Sequence, residues 1–322
     1  MTDLEVLTVG RIGVDLYPEQ THVPIARVSS FAKSIGGTAT NVAVAAARLG
    51  RRAAVATRVG DDSFGAYAQL ALEEEFGVDT RFVGVDPDLP TPITFCELDL
   101  PEDPRIIFYR YPKAPDMNLS PGDLDPGTVA DVPILWISGS TLSDEPSRSA
   151  VTLALEARGR HRHTILDLDW RPTFWRSRAE GEVQLREALP QVTAAVGNRV
   201  ECEVAVGTDD PEEAADRLLE QGLELAVVKL GADGVFVASS DGTRALVPPV
   251  PVEVVCGLGA GDAFGGALCH GLLAGWDPVH AVGFGNAAGA IVASRLLCAP
   301  AMPTVAEVLD LERAGAAAEA ST

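Results

Sequence analysis

VEVVCGLGAGDAF, residues 252–264, joins a β-branched run, a glycine-rich turn and the start of a helix-forming stretch. The first four of these residues predict a strand, and residues 260–274 predict a helix. The N-terminus of a helix has unpaired N–H groups and a partial positive charge, so this turn is suited to binding an anion. Asp262 adds a carboxylate to the same turn. An anion site beside a base points to phosphoryl transfer to a hydroxyl group, with Asp262 accepting the proton.

Other readings of this turn fit the sequence less well. A dinucleotide-binding fingerprint would need a third glycine where Asp262 stands, and an acidic residue about 20 positions later, where Ala281 and Val282 are found. A phosphate loop of the Gly-Lys-Ser/Thr type is excluded because the chain has no Gly-Lys pair. The protein-kinase triplets His-Arg-Asp and Asp-Phe-Gly are also absent. A plain strand-to-helix turn, with Asp262 as a first-turn acid, stays open as the alternative.

The composition limits the class of protein. The chain has 322 residues, of which 47% are hydrophobic, enough for one large α/β domain or one domain with an appendage. Its net charge of −21 argues against nucleic acid as a partner. No apolar run approaches the roughly 18 residues of a membrane span, so we expect no membrane insertion.

The cysteines and histidines indicate the compartment and the metal chemistry. Five scattered cysteines without a Cys-x-x-Cys pair are typical of reduced thiols. Residues 1–5 carry a net negative charge and lack a signal-peptide core, so we expect a cytoplasmic protein. The histidines show no metal-binding spacing, and any metal should therefore arrive with a nucleotide as Mg²⁺.

Strand and helix patterns alternate along most of the chain, which predicts a mostly parallel sheet with helices on both faces. The predicted strands are 4–10, 53–59, 134–138, 165–168, 194–197 and 225–230. The predicted helices are 42–49, 64–76, 145–158 and 211–221, the last with Asp210 as its N-cap. We assign 1–10, 32–90 and 117–322 to this α/β core.

Two segments, 11–31 and 91–116, are strand-like and rich in turns but have no helical period. They flank the first strand and the early helices. We predict that they form one small β-sheet that covers the substrate site as a lid and excludes water from a transferred phosphoryl group. Its exposed face is a candidate contact for a homodimer.

Four motifs occur in the order found in one enzyme family. They are Gly36-Gly37-x-x-x-Asn41, Asn198-x-x-Glu201, Lys229-Leu230-Gly231-Ala232-Asp233-Gly234 and Gly259-Ala260-Gly261-Asp262. On these motifs the chain resembles the ribokinase-like (phosphofructokinase-B type) carbohydrate kinases over essentially its whole length. The resemblance implies a ribokinase-like three-layer α/β fold with a mostly parallel central sheet, helices on both faces and a small β-sheet lid.

The resemblance implies a role for each residue of the catalytic turn and the substrate site. Asp262 would be the general base, and the backbone N–H groups of Gly259, Ala260 and Gly261 would stabilise charge on the transferring phosphoryl oxygens. The implied substrate-binding residues are Asp15, Gly37, Asn41, Arg110 and Arg171. Asp15 and Asn41 would bind sugar hydroxyls, Gly37 would give backbone access, Arg110 would bind a substrate carboxylate, and Arg171 would lie by the phosphates or the substrate.

The same resemblance implies ATP and Mg²⁺ as cofactors. Asn198 and Glu201 match a motif for Mg²⁺ and phosphate, while Lys229, Gly231 and Asn286 match nucleotide-binding positions. A potassium ion is a possible further cofactor, but Cys256 stands where most members have Asp. A thiol cannot supply a hard oxygen ligand, so only backbone carbonyls could hold that ion.

Structural roles stay open for several of these residues. Asp15 could be a solvated turn residue, Asn41 an N-cap, and Arg110 the partner of a nearby Asp. Asn198 and Glu201 could form a capping box, and Asn286 could lie in a helix–helix seam.

Further motifs suggest the substrate. They are residues 10–18 (GRIGVDLYP), Phe108-Tyr109-Arg110, residues 168–172 with Trp175, and Leu258 within the glycine turn. They are similar to family members that phosphorylate the C6 hydroxyl of 5-dehydro-2-deoxy-D-gluconate in inositol catabolism. The expected partners are thus a sugar acid and ATP. The alternatives are 2-dehydro-3-deoxygluconate, fructose or ribose as substrate, a non-catalytic sugar-binding regulator, and a nicotinamide dehydrogenase.

Overall fold

A computed structural model of the chain describes residues 3–20, 22–98 and 105–319. Residues 1–2 and 320–322 of the predicted core, and residues 21 and 99–104 of the predicted lid, lie outside the described residues.

The larger of two sheets has the order β13-β12-β11-β10-β9-β8-β1-β4-β5. All neighbouring strands from β10–β11 to β4–β5 are parallel, and β12 and β13 extend the β11 edge in antiparallel fashion. The prediction of a mostly parallel sheet is confirmed. The strands of this sheet are β1 Val6–Val9, β4 Ala53–Gly60, β5 Val83–Asp86, β8 Ile134–Ser138, β9 Thr164–Asp167, β10 Ala194–Asn198, β11 Leu225–Lys229, β12 Val235–Ser239 and β13 Arg244–Val247.

Helices cover both faces of this sheet. The α-helices within the described residues are α1 Thr38–Arg48, α2 Ser63–Leu70, α3 Pro126–Asp131, α4 Ser147–Arg158, α5 Arg178–Ala188, α6 Arg199–Val206, α7 Pro211–Glu220, α8 Ala260–Leu273, α9 Pro278–Ala293 and α10 Val305–Glu319. The apolar side chains of α1, α2, α8, α9 and α10 form one buried cluster against the sheet, and those of α3 to α7 form a second. Successive residues of a strand face opposite sides, which is why Val6 belongs to the first cluster and Leu7 to the second.

Helix starts follow local chemistry. Side-chain oxygens of Asp62, Asp125, Ser177 and Asp277 accept backbone N–H groups of the first turns of α2, α3, α5 and α9. The predicted N-cap Asp210 accepts from Glu213 N at 2.9 Å. The predicted helix 64–76 is α2 followed by a π-helical segment, Ala71–Glu75.

The second sheet has the order β3-β2-β6-β7, made of β2 Gly13–Pro18, β3 Phe31–Gly36, β6 Ile93–Glu97 and β7 Arg105–Tyr109. The predicted small β-sheet therefore exists. It also takes in Phe31–Gly36, most of which the sequence analysis assigned to the core; β3 pairs with β2 from Gly13↔Gly36 to Pro18↔Phe31. The division into core and lid as two functional units stays a prediction.

The predicted strand at 252–255 is wrong. This segment has no strand partner; instead the N–H groups of Val255 and Cys256 donate to the carbonyl of Ala293, at the end of α9. β-branched residues favour extended backbone, but a strand also needs a neighbour to pair with.

Helices α1 and α8 pack unusually close together because Gly266 faces Ala45. A Cβ atom on Gly266 would lie 2.4 Å from Ala45 Cβ and 2.8 Å from Ala46 N. Both helices begin at the carboxyl edge of the large sheet, so this contact sets the distance between their N-terminal turns.

Within the residues that the structure describes, none of the helices combines the length and the apolar character needed to cross a bilayer.

We predict that Gly266→Ala lowers the free energy of unfolding by about 1–3 kcal/mol, because the added methyl group would overpack backbone that cannot move independently. Gly283→Ala in α9 is the matched control: the nearest atom to its added Cβ is 4.0 Å away. Alanine there should be neutral or stabilise by up to about 1 kcal/mol through helix propensity. Urea denaturation measures both, and equal effects would contradict the close-packing argument.

Candidate active site

A cavity of about 390 Å³ opens at the carboxyl edge of the large sheet, beneath the small sheet and beside the N-termini of α1 and α8. Parallel strands end at the same edge, so the residues that follow β1, β9, β10 and β11 meet there. The register confirms this arrangement, since Asn198 at the end of β10 is paired with Lys229 at the end of β11.

The glycine turn before α8 forms one wall of the cavity. Gly259 is the N-cap of α8 and has a φ of 83°, a left-handed conformation. A Cβ atom there would lie 2.6 Å from Cys298 Sγ, so both the backbone and the space require glycine. The first N–H groups of α8 have no partner within the helix and are free to bind an anion.

Asp262 lies in the first turn of α8 and borders the cavity. Its Oδ2 accepts a hydrogen bond of 2.8 Å from Nδ2 of Asn41, in the first turn of α1. Burial raises the pKa of the Asp262 carboxyl to about 6, against the lowering effect of the Asn41 amide. Such a carboxylate is ionised at neutral pH yet basic enough to accept a proton from an alcohol in a transition state.

Asp15 faces the same cavity from β2. Its carboxylate lies over Gly36, where a Cβ atom would be 2.0 Å from Asp15 Oδ2. Burial raises the pKa of Asp15 to about 7, although Thr94 and Arg11 lower it. The open alternative of a solvated turn residue is therefore wrong, because Asp15 sits inside a strand and in a cavity.

Gly37 connects β3 to α1 with a φ of 104°. A Cβ atom at this position would lie 2.3 Å from the carbonyl oxygen of Arg11. Glycine thus lets the chain turn directly from the small sheet into the helix that carries Asn41. Asn41 is not the N-cap of α1, since that position belongs to Gly37.

Lys229 lies within a group of acids at the ends of β9 and β10. Burial alone would lower the pKa of Lys229, but Asp167, Glu201 and Asp262 raise it above its usual value. Burial raises the pKa of Asp167 to about 7, partly offset by Lys229. A Cβ atom on Gly261 would lie 3.4 Å from Lys229 Nζ, which brings this ammonium group next to the glycine turn.

Asn198 and Glu201 form a capping box at the start of α6. Asn198 N donates to Glu201 Oε2 at 2.7 Å, and Glu201 N donates to Asn198 Oδ1 at 2.9 Å. The capping alternative is therefore present, and both residues also border the cavity. No three acidic, histidine or cysteine side chains of the described residues converge to hold a metal ion by themselves. The oxygen donors here suit Mg²⁺ that keeps its water and phosphate ligands.

Arg11 follows β1 and is buried, with 4% of its surface exposed. Its Nη2 donates to both carboxylate oxygens of Asp169 at 3.0 and 2.8 Å. Asp169 also faces Arg171, whose Nε lies 3.3 Å from Oδ1. Burial alone would raise the pKa of Asp169, but Arg11, Arg171 and two serine hydroxyls hold it well below its usual range.

Arg110, just after β7, points at the cavity and forms a two-pronged ion pair with Asp116. The ion-pair alternative is thus observed. Asp116 Oδ2 also accepts from Ile12 N at 3.2 Å, so this carboxylate ties the segment after the small sheet to the segment after β1.

Of the fourteen residues predicted for the site, all except Ala260 and Asn286 border the cavity. Ala260 contributes only backbone in the first turn of α8. Asn286 is elsewhere: its Nδ2 donates to Pro248 O at 2.8 Å and so connects α9 with the segment after β13. Several residues that border the cavity were not predicted from the sequence, namely Arg11, Tyr17, Thr94, Cys96 and Cys298. The position of Arg11 directly after a buried strand was the available signal.

Cys256 lies in a separate apolar cluster under the glycine turn, with Tyr17, Cys96, Leu98 and Cys298. Burial raises the pKa of the Cys256 thiol, so this side chain is a neutral group without an oxygen atom. These side chains do not fit a potassium site.

A covered cavity that holds an anion-binding helix start, an adjacent carboxylate and a buried lysine is suited to a phosphotransferase acting on a small hydroxyl compound. Comparison with known proteins gives the class its name. The family model described as "pfkB family carbohydrate kinase" matches residues 3–305, and the chain belongs to this family of kinases.

The chain is also similar to individual members. It is 33% identical to a 5-dehydro-2-deoxygluconokinase of Geobacillus kaustophilus, over 98% of this chain and 96% of the relative. The structure of an E. coli protein named "putative Ribokinase II", in complex with ATP and Mg²⁺, has 25% identity and a TM-score of 0.86, covering 97% of this chain and 99% of that one. A fructokinase from Vibrio cholerae with fructose, ADP and calcium bound has 26% identity and a TM-score of 0.84, covering 96% and 99%. The predicted ribokinase-like fold and carbohydrate kinase class are confirmed.

Proposed function

We propose that this kinase transfers the γ-phosphoryl group of MgATP to the C6 hydroxyl of 5-dehydro-2-deoxy-D-gluconate, a step of inositol catabolism. The observation that carries the chemistry is the placement of Asp262 at the start of α8, in contact with Asn41 and in the same cavity as Asp15. The substrate is suggested by the 5-dehydro-2-deoxygluconokinase relatives and by the arginines at one end of the cavity.

In this proposal the sugar lies between Asp15 and Asn41, with its terminal hydroxyl toward Asp262. Asp262 accepts the hydroxyl proton as the oxygen attacks phosphorus. The N–H groups of residues 259–262 stabilise the charge on the equatorial phosphoryl oxygens. Lys229 supplies positive charge beside the same turn, and the charges of Asp167 and Glu201 favour its protonated form.

Bound Mg²⁺ would shield the phosphate charges during transfer. Asn198 and Glu201 are the proposed holders of this ion through water, and Glu201 Oε2 is fixed by the capping box. Gly231 and Asn286 remain proposed nucleotide contacts, as does Arg171 for phosphate or substrate. A potassium requirement is left out of the proposal because Cys256 offers no oxygen ligand.

The competing substrates are 2-dehydro-3-deoxygluconate, fructose and ribose, and the competing class is a non-catalytic sugar-binding regulator. An ADP-release assay over sugar acids and neutral sugars separates them. Preference for fructose or ribose would exclude the sugar-acid assignment, and no turnover with any sugar would favour the regulator.

Replacing Asp262 with Asn should reduce kcat by about 10²-fold or more, because the amide cannot accept the proton. The sugar KM should change little, since Asn keeps the shape and can still contact Asn41. Asp310→Asn on the surface of α10 is the control and should match the wild type. Steady-state kinetics decide the point; a variant with wild-type kcat would remove Asp262 from the mechanism.

The pH dependence of the reaction rate should report the pKa of Asp262. Its pKa is raised to about 6, so the carboxylate is protonated at a higher pH than an ordinary Asp. Since a base must be deprotonated and this pKa belongs to the free enzyme, the ionisation of Asp262 should lower kcat/KM about tenfold per pH unit below pH 6. Asn41→Leu removes a hydrogen bond that lowers this pKa, so the limb should move to higher pH.

A second limb near pH 7 is expected in kcat/KM because Asp15 binds the free sugar and has a pKa of about 7. Asp15→Asn should abolish this limb alone. An acid limb near pH 4 that does not respond to Asn41 would contradict the assignment of Asp262.

We also propose that two copies of the chain associate through the outer face of the small sheet. Phe95 packs edge-on against Phe31 at 5.4 Å and against Tyr109 at 5.5 Å between ring centroids. Tyr109 is 63% exposed and its neighbour Ile107 is 37% exposed. An aromatic row of this kind on a monomer surface is typical of an interface.

Tyr109→Lys should therefore shift the protein from dimer toward monomer, because a charge would be buried at the contact. Tyr111→Lys is the matched control: Tyr111 lies beyond the end of β7 and is 92% exposed. Light scattering after size-exclusion chromatography measures the mass of each. A monomeric wild type would rule out the dimer.

A further inference from the structure

Three arginines, Arg11, Arg110 and Arg171, border the cavity. Salt bridges of Arg11, Arg110 and Arg171 reach two carboxylates within the described residues, those of Asp116 and Asp169. Asp169 is shared by Arg11 and Arg171, while Asp116 pairs with Arg110. Arg171 also interacts with the charges of Glu201, Asp262 and Asp167.

Arg171 contacts a carboxylate through Nε and is partly exposed, whereas Arg11 is the most buried of the three arginines and still has a free donor. Its Nε donates to Ser140 Oγ at 2.9 Å, and Nη2 donates to Thr38 Oγ1 at 2.6 Å and to Asp169. Nη1 donates to none of the described residues. It is also not fully buried. It thus keeps accessible surface, and Arg11 borders the cavity.

Asp15 also interacts with the positive charge of Arg11. Burial raises the pKa of Asp15 to about 7, so at neutral pH this group supplies only part of a negative charge.

Phe174 holds Arg11 and Arg110 in place together. The guanidinium carbon of Arg11 lies 5.1 Å from the centroid of the Phe174 ring, and that of Arg110 lies 4.9 Å from it. The same ring packs edge-on against Phe108 of β7 at 4.9 Å. Aromatic contact stabilises both cations and restricts their rotamers, so the two guanidinium groups are ordered before any ligand arrives.

We propose that Arg11 binds the carboxylate of the sugar-acid substrate through Nη1, and that Phe174 is the positioning residue that fixes Arg11 beside Arg110. The inference rests on the proposed function and adds a specificity residue to it. A guanidinium locked by Asp169, Thr38 and Ser140 offers its remaining N–H groups in one direction. A carboxylate is the anion that this fixed geometry favours over a neutral hydroxymethyl group.

The test compares a matched pair of ligands and three variants. D-Gluconate and D-glucitol differ in whether one end of the molecule is a carboxylate or a hydroxymethyl group. Arg11→Lys keeps the positive charge near Asp169 but loses the fork of donors, and Phe174→Leu keeps Arg11 and removes the ring. Arg176→Lys is the control, because Arg176 is exposed and does not border the cavity. Calorimetric titration measures binding, and thermal melting verifies that each variant is folded.

Wild type and Arg176→Lys should bind gluconate more tightly than glucitol. Arg11→Lys should reduce that preference on the order of 10- to 100-fold, and Phe174→Leu should reduce it less. With 5-dehydro-2-deoxygluconate the loss should appear in KM for the acid, with KM for ATP little changed. Phe174→Leu keeps the test valid if Arg11→Lys does not fold.

Two results would overturn the inference. In one, the gluconate preference survives Arg11→Lys or is absent from the wild type. In the other, KM rises for ATP and not for the acid, which would assign Arg11 to a phosphate. Failure of the proposed function looks different: a wild type that prefers gluconate through Arg11 but does not phosphorylate 5-dehydro-2-deoxygluconate would retain the carboxylate subsite and lose the substrate assignment.

Discussion

The hydrogen bond from Asn41 to Asp262 joins the N-terminal turns of two helices, and the site depends on it. Both residues lie about one helical turn before the contact of Gly266 with Ala45. Gly266 against Ala45 allows the close approach. The same contact therefore helps to place the anion-binding turn beside the N-terminus of α1.

Much of this arrangement follows from local sequence. The alternation of strand and helix patterns predicts the parallel sheet, and parallel strands must end at one edge, so Asn198 and Lys229 are expected at the same edge. The structure adds that β10 and β11 are neighbours, which pairs the two residues. Glycines at 37 and 259 precede helices and take positive φ values there. These features depend on neighbouring residues in the chain, which is why the motif positions could be recognised.

What the sequence did not reveal depends on contacts between distant segments. The run at 252–255 has strong strand propensity but no strand beside it. The assignment of Phe31–Gly36 to the small sheet depends on its pairing with β2. The sequence placed Arg11 at the start of the predicted lid without a role, and its buried ion pair forms with Asp169, 158 positions later. The Arg110–Asp116 pair could be considered in advance because its two residues are close in sequence.

The direct passage from β3 through Gly37 into α1 has a mechanical consequence. The strand that forms part of the roof of the cavity and the helix that presents Asn41 are one uninterrupted stretch of chain. In the proposed mechanism, lifting the roof would pull on the amide that contacts the Asp262 carboxylate, so an uncovered site would also have a misplaced base. Water that enters such a site would then meet the proposed nucleotide while Asp262 is least able to activate it, which would limit the hydrolysis of ATP.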